Sequence, residues 1–196
     1  MVELPNKLSL ICIVKLTYMH EIRVHDKTFI PYLSQPEIEE SIKNLAQKIN
    51  QDYADKCPLF IAILNGAFMF AAELFKSISI ASEISFIKLA SYKGTTSSGH
   101  VITSIGLDAD VKNKHIIILE DIIDTGKTMS RFLPQLYNQQ PASLKIAALL
   151  HKPEATTHEV PLDYNCFKIP NKFVVGFGLD YNGMGRNIPA VYKLKE

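Results

Sequence analysis

Glu120, Asp121 and Asp124 fall within one five-residue stretch, and Thr125-Gly126-Lys127-Thr128 follows at once. Gly126-Lys127-Thr128 has the tail of the nucleotide-triphosphate loop G-x-x-x-x-G-K-[ST], but the position of that loop's first glycine holds Asp121, so the motif fails. A glycine turn that opens a helix still offers N–H groups and a helix dipole, which hold one phosphate without a cationic clamp. Thr125 and Thr128 add hydroxyl donors. Carboxylates beside that phosphate repel it, unless the other end of the ligand brings hydroxyls and a hard cation for them to bind. A ribose 5-phosphate carrying Mg²⁺-bound pyrophosphate is such a ligand.

Positioning these groups requires a sheet. Ile116-Ile117-Ile118-Leu119 reads as a strand that ends at Glu120 and Asp121, with a helix from about Lys127 to Asn138 that Pro134 should kink or shorten. Leu59–Leu64, Ser85–Ala90, Leu144–Leu150 and Lys172–Gly178 read as further strands, and Ala67–Ser77 as an apolar helix. Ser34-Gln35-Pro36-Glu37 is a capping-box pattern, and Ile38, Ile42, Leu45, Ile49 and Tyr53 after it share one helical face. Strands separated by helices at this spacing predict one α/β domain with a doubly wound, mainly parallel sheet flanked by helices, the chain ends forming a smaller cap. In such folds ligands bind at the carboxyl edge of the strands.

The run from Ile116 through Thr128 resembles the signature of the phosphoribosyltransferases, which bind phosphoribosyl pyrophosphate. Followed along the chain, the resemblance narrows to the hypoxanthine-guanine phosphoribosyltransferases. It is carried by Leu64-Asn65-Gly66, by Ser91-Tyr92 and the loop through Gly99, by Lys152, and by Lys172–Asp180 with Tyr181 and Asn182. It covers the chain from about Arg23 to the C-terminus. The resemblance implies a type I phosphoribosyltransferase fold at 23–196, with a small hood from the chain ends, after an N-terminal extension at 1–22. It implies transfer of the 5-phosphoribosyl group from phosphoribosyl pyrophosphate to N9 of hypoxanthine or guanine. The products are IMP or GMP and pyrophosphate, Mg²⁺ is the cofactor, and the enzyme is a homodimer or homotetramer.

The resemblance also assigns roles. Glu120 and Asp121 hold the ribose hydroxyls, directly or through Mg²⁺, and Asp180 reaches a second Mg²⁺. Asp124 handles the purine N7 proton, and Asp124, Thr125, Gly126, Lys127 and Thr128 bind ribose and its phosphate. Lys152 donates to the purine 6-oxygen, Phe173 stacks on the base, and the carbonyls of Val174 and Asp180 lie near the 2-position. Asn65, Gly66, Ser91, Tyr92 and Arg186 contact pyrophosphate, and Ser91–Gly99 is the family's mobile loop. Residue chemistry agrees: negative charge stabilises an oxocarbenium-like ribosyl centre, and a carboxylate at N7 supplies acid–base help. Each residue also has a plainer use: Asp124 as a helix cap, Lys152 as a solvated lysine, Phe173 as core. Asn65 departs from the family, where the middle of that turn often carries lysine after a non-proline cis peptide.

Composition bounds the rest. The 196 residues are 47% hydrophobic and 21% charged, which suits one domain with a core, and a net charge of +1 gives no reason to expect nucleic acid. Cys12, Cys57 and Cys166 are scattered, with no metal-ligand spacing, as in reduced cytosolic proteins. Leu8–Val14 is apolar, but Lys15 ends the run far short of the ~20 residues a membrane span needs. A cytoplasmic enzyme with no membrane or nucleic-acid partner is the expectation. A xanthine- or pyrimidine-directed transferase would differ around Lys152 and Phe173. A regulator that senses phosphoribosyl pyrophosphate without turnover would need a nucleic-acid-binding module or basic face.

Overall fold

The computed structural model describes residues 20–90, 102–105 and 109–196. Most of the N-terminal extension, and the 91–99 loop with Ser91 and Tyr92, lie outside them. Two compact units emerge, one from Glu39–Asn171 and one from the chain up to Ile38 together with Lys172–Glu196.

The Glu39–Asn171 unit is built on a sheet whose strands β3 (Leu59–Leu64), β6 (His115–Ile123) and β7 (Ser143–His151) carry near-continuous apolar runs, the composition of strands buried on both faces. Beside them stand β4 (Glu83–Ala90) and β8 (Tyr164–Lys168), with β5 (Ile102–Ile105) between β4 and β6 in the chain. The sheet order is β5-β4-β3-β6-β7-β8, parallel throughout except for the antiparallel edge strand β5. The expected doubly wound sheet is therefore present. Helix α2 (Phe68–Phe75) follows β3, and α3 (Lys127–Tyr137) follows β6. From α3, Met129, Phe132, Leu133 and Leu136 pack into a core with Ile61, Ile116, Ile118 and Ile146.

Helix α1 (Gln35–Asp52) precedes β3. Its start is the capping box read from the sequence, with the Ser34 N–H donating to the Glu37 carboxylate at 2.9 Å. Ile38, Ile42, Leu45, Ile49 and Tyr53 are all buried, as their spacing predicts.

The chain ends make a second sheet, antiparallel, from β1 (Ile22–Val24), β2 (Lys27–Leu33), β9 (Val174–Val175) and β10 (Val191–Leu194) in the order β1-β2-β10-β9. Val24, Phe29, Val175, Ala190 and Tyr192 form its core.

Three expectations need correction. First, Lys172–Gly178 contributes only Val174–Val175 as strand, and to the antiparallel sheet. Gly176 ends it, with φ of 100° and the Ala190 carbonyl 2.0 Å from where a Cβ would stand. Second, the strand that completes the parallel set is β8. Third, β6 does not stop at Leu119 but runs through both acids to Ile123, because Glu120, Ile122 and Ile123 stay in register with Ala148, Leu150 and His151 of β7. Helix α3 passes through Pro134 and ends at Tyr137. Among the described residues no helix is long and apolar enough to cross a membrane.

Candidate active site

In the parallel set β4-β3-β6-β7-β8 the chain moves outward in one direction from β3 to β4 and in the other from β6 onward. The crevice between the carboxyl ends of β3 and β6 is thus the topological switch point, where ligands bind in open α/β sheets. β3 pairs with β6 only as far as Ala62 with Leu119. Beyond Leu119, β6 is held by β7 alone, so Glu120 and Asp121 border the crevice. The turn after β3 holds the cis peptide between Leu64 and Asn65, and the Asn65 side chain is exposed. Gly66 faces Asp121 so closely that a Cβ there would stand 1.7 Å from Asp121 Oδ2. The acid and the turn are one constellation, and only glycine admits it with the carboxylate in this place.

The second group is the turn into α3. Gly126, with φ of 76°, is its N-cap and supplies no side chain, and the first helical bond is Ser130 N–H to the Gly126 carbonyl. The N–H groups of Thr128 and Met129 precede that bond, so they have no acceptor within the helix and suit an anion. A cleft of about 70 Å³ lies there, lined by Glu120, Asp124 and the run Thr125–Met129. Thr125, Lys127 and Thr128 are exposed around it. The turn is pinned from behind: the N–H groups of Thr157 and His158 donate to the Thr125 carbonyl at 3.1 and 3.0 Å. A Cβ on Gly126 would meet the His158 carbonyl at 2.2 Å.

Asp124 does not cap the helix. Its Oδ2 lies 3.2 Å from Lys152 Nζ, and Lys152 is 6% exposed, not solvated. The Lys152 N–H donates to the Ile123 carbonyl at 2.9 Å, which fixes the root of the lysine against the residue before Asp124. A buried ammonium and a partly exposed carboxylate therefore stand side by side, a donor next to an acceptor, beside a phosphate-suited turn. Thr156 contacts the backbone of this pair and His151 contacts Thr156, and neither residue is a candidate on sequence alone. Their residue types alone carry no signal; only the fold brings them there.

Glu120 carries the electrostatic anomaly. The residue is half-buried, yet its Oε2 is buried with no hydrogen-bond partner. Burial, and then the neighbouring Asp121 charge, push its carboxyl well above the usual carboxylate range. Such an oxygen suits a ligand hydroxyl or a cation. Among the described residues no three His, Cys, Asp or Glu side chains cluster to hold a metal. Mg²⁺ is usually held by one or two carboxylates plus substrate oxygens, and Glu120 and Asp121 are carboxylates of that kind.

The unit made from the chain ends presents the other expected residues. Phe173 is 45% exposed, with its ring centroid 5.7 Å from that of Tyr181 and 6.1 Å from that of Phe29. It is an exposed aromatic surface rather than core, whereas Val174 is buried. Asp180 is engaged at both oxygens, by Arg186 Nη2 at 2.5 Å and by the Gly183 N–H at 2.6 Å. Arg186 also donates to the Gly178 carbonyl at 2.6 Å, so the guanidinium is fixed. Tyr181 donates to Asp26 at 2.9 Å.

Comparison with known proteins gives this geometry its context. Residues 31–182 match the family model described as a phosphoribosyl transferase domain. A hypoxanthine-guanine phosphoribosyltransferase of Streptococcus pneumoniae is 44% identical over 165 residues, 84% of this chain and 92% of the relative. The crystal structure of a Bacillus anthracis hypoxanthine-guanine phosphoribosyltransferase superposes with a TM-score of 0.79 at 33% identity, covering 84% of this chain and 98% of that one. A Staphylococcus aureus hypoxanthine phosphoribosyltransferase does so with 0.80 at 33% identity, covering 93% and 95%. The chain belongs to the phosphoribosyltransferase family, among the hypoxanthine-guanine phosphoribosyltransferases.

Proposed function

We propose that this chain transfers the 5-phosphoribosyl group of phosphoribosyl pyrophosphate to N9 of hypoxanthine or guanine, yielding IMP or GMP and pyrophosphate in purine salvage. The observation that carries this reading is the Asp124–Lys152 pair, a buried donor and a carboxylate acceptor 3.2 Å apart. A 6-oxopurine offers the complementary pair side by side, an acceptor at O6 and a proton at N7. Lys152 has donors and no acceptor, so it accepts the 6-oxopurine as a partner and opposes the 6-amino group of adenine.

In the reaction the N9 lone pair forms a bond to the ribose anomeric carbon, and the bond from that carbon to the pyrophosphate oxygen breaks with its electrons. Asp124 takes the N7 proton. Glu120 and Asp121 accept from the ribose hydroxyls and place negative charge near the ribosyl centre as positive charge develops on it. Gly126, Lys127, Thr128 and Thr125 hold the 5-phosphate. Asn65, Gly66, Arg186, Ser91 and Tyr92 face pyrophosphate. Phe173 stacks on the base, and the carbonyls of Val174 and Asp180 accept the 2-amino group of guanine and oppose the 2-oxygen of xanthine. Glu120, Asp121 and Asp180 are the acids that would hold Mg²⁺ together with substrate oxygens, and the ion would supply positive charge to offset that of the pyrophosphate. We place the enzyme in the cytoplasm as a homodimer or homotetramer, which sedimentation of the purified chain tests.

The deciding experiment is turnover with phosphoribosyl pyrophosphate, Mg²⁺ and each of hypoxanthine, guanine, xanthine, adenine and uracil at one pH. Comparable kcat/KM for hypoxanthine and guanine is expected, with markedly lower values for xanthine and negligible ones for adenine and uracil. Adenine as a good substrate would overturn the role of Lys152, and full turnover in chelator would overturn that of Mg²⁺.

A further inference from the structure

Asp124 and Lys152 lie 28 positions apart, just past the ends of two neighbouring strands, and one hydroxyl joins their backbones. Thr156 Oγ1 lies 3.1 Å from the Asp124 carbonyl and 3.0 Å from the Lys152 carbonyl. Its single proton is shared between the two. That leaves the Thr156 oxygen as an acceptor for His151 Nε2, 3.3 Å away. Donation from Nε2 assigns the imidazole the tautomer whose bare Nδ1 is the buried atom without a partner. Between Lys152 and Thr156 runs a short 3₁₀ turn, Pro153–Ala155, whose proline limits other backbone arrangements. His151 is also the last residue of β7, in register with Ile123 of β6. The hydroxyl is thus anchored to the sheet on one side and reaches both members of the pair on the other.

Resting on the reading of Asp124 and Lys152 as the groups that meet N7 and O6, we infer that Thr156 is a positioning residue for base recognition. It sets the separation of the carboxylate and the ammonium through their backbones, without touching substrate. The phosphate turn has anchors that do not involve the Thr156 side chain, because the Thr125 carbonyl accepts from the backbone N–H groups of Thr157 and His158. Loss of the hydroxyl should therefore damage the base-dependent step and spare binding of phosphoribosyl pyrophosphate.

The test compares Thr156→Val, which keeps the shape, with Thr156→Ser, which keeps the hydroxyl. Wild-type turnover of hypoxanthine is measured first, and its absence would refute the proposed function itself rather than the role of Thr156. Given that turnover, T156V should lower kcat/KM for hypoxanthine by about tenfold, since small misplacements of reacting groups cost this much or more. Its KM for phosphoribosyl pyrophosphate should stay within about twofold, and T156S should recover most of the loss. Three results overturn the inference: T156V with the wild-type kcat/KM, equal damage to both substrates, or T156S as impaired as T156V. Should T156V not fold, T156S and Thr156→Cys decide it, the weaker thiol donor giving an intermediate kcat/KM if the inference holds and a wild-type value if it fails.

Discussion

The phosphate turn and the Asp124–Lys152 pair are neighbours in the chain but are built in opposite ways. Thr125–Thr128 is a run of consecutive residues, and its N–H groups aim together because a glycine with φ of 76° opens a helix. The pair is assembled from the ends of two strands, and its 3.2 Å separation depends on the register that sets Ile123 beside His151. A local device tolerates change elsewhere in the fold, whereas a device made by register inherits every shift of β6 against β7. The two should therefore fail separately, one in binding the sugar phosphate and the other in chemistry on the base.

The sharpest way to break the comparison is Asp124→Asn. It keeps the turn's backbone and removes the proton acceptor, so kcat should fall by a factor in the range ~10²–10⁴ expected for a general acid–base group. Equilibrium binding of phosphoribosyl pyrophosphate should stay nearly intact. A rise in KM alone would show that Asp124 serves the turn and not the chemistry. Lys152→Met comes next. Methionine fills the apolar path of the lysine stem but leaves Asp124 without its cation. A lost charge-assisted hydrogen bond predicts roughly 10–100-fold lower kcat/KM for hypoxanthine and guanine. If KM for phosphoribosyl pyrophosphate rose by the same factor, the two devices would not be separable.

These contrasts also explain what the sequence made legible. The glycine turn, the capping box and the buried runs of β3, β6 and β7 are local, and they stand where their residues indicate, although β6 runs on through the acids. β8 escaped notice because Tyr164–Phe167 are only half-buried and carry polar neighbours, as an edge strand does. Lys172–Gly178 misled because KFVVGFG has the apolar density of a strand, while Gly176 cuts it short. Phe173 looks like core in sequence and is exposed because it precedes the two residues that join β9. The burial of Lys152 is a long-range fact that no local window contains.

A smaller effect is expected on the other side of the crevice. Gly66→Ala would put a methyl 1.7 Å from Asp121 Oδ2 and 2.2 Å from its Cγ. The carboxylate ends a side chain and can turn aside at the cost of the bond that Asp121 Oδ1 accepts from the Ile122 N–H at 3.0 Å, so the melting temperature should fall only slightly. The displaced acid would no longer meet the ribose, and KM for phosphoribosyl pyrophosphate should rise by about tenfold, a misplacement cost of the kind known for positioned groups. The base preference should be unaffected. Altered selectivity between hypoxanthine and xanthine would mean that the crevice at β3 and the pair at β7 are coupled.

The smallest effect concerns stability, and it follows from Glu120. Burial holds the carboxyl of the folded protein well above its unfolded value, with Asp121 adding to the shift. The folded state therefore binds more protons than the unfolded one, and stability falls as pH rises from the unfolded pKa, about 4.3, toward the raised folded value. Below the unfolded value both states are protonated and the group costs nothing. Glu120→Gln removes the charge and keeps the shape, so it should raise the melting temperature at neutral pH and leave it unchanged near pH 4. A gain of a few degrees is the scale expected, since each kcal/mol moves a chain of this length by roughly 2–4 °C. The same variant should bind phosphoribosyl pyrophosphate less tightly, because an amide offers the ribose hydroxyls a neutral acceptor in place of a carboxylate. Thermal unfolding of both proteins between pH 4 and pH 8, with and without ligand, separates the two effects. If E120Q gained nothing at neutral pH, Glu120 would already be satisfied in the free enzyme. A gain accompanied by unchanged affinity would show that its strain serves no purpose in binding the sugar.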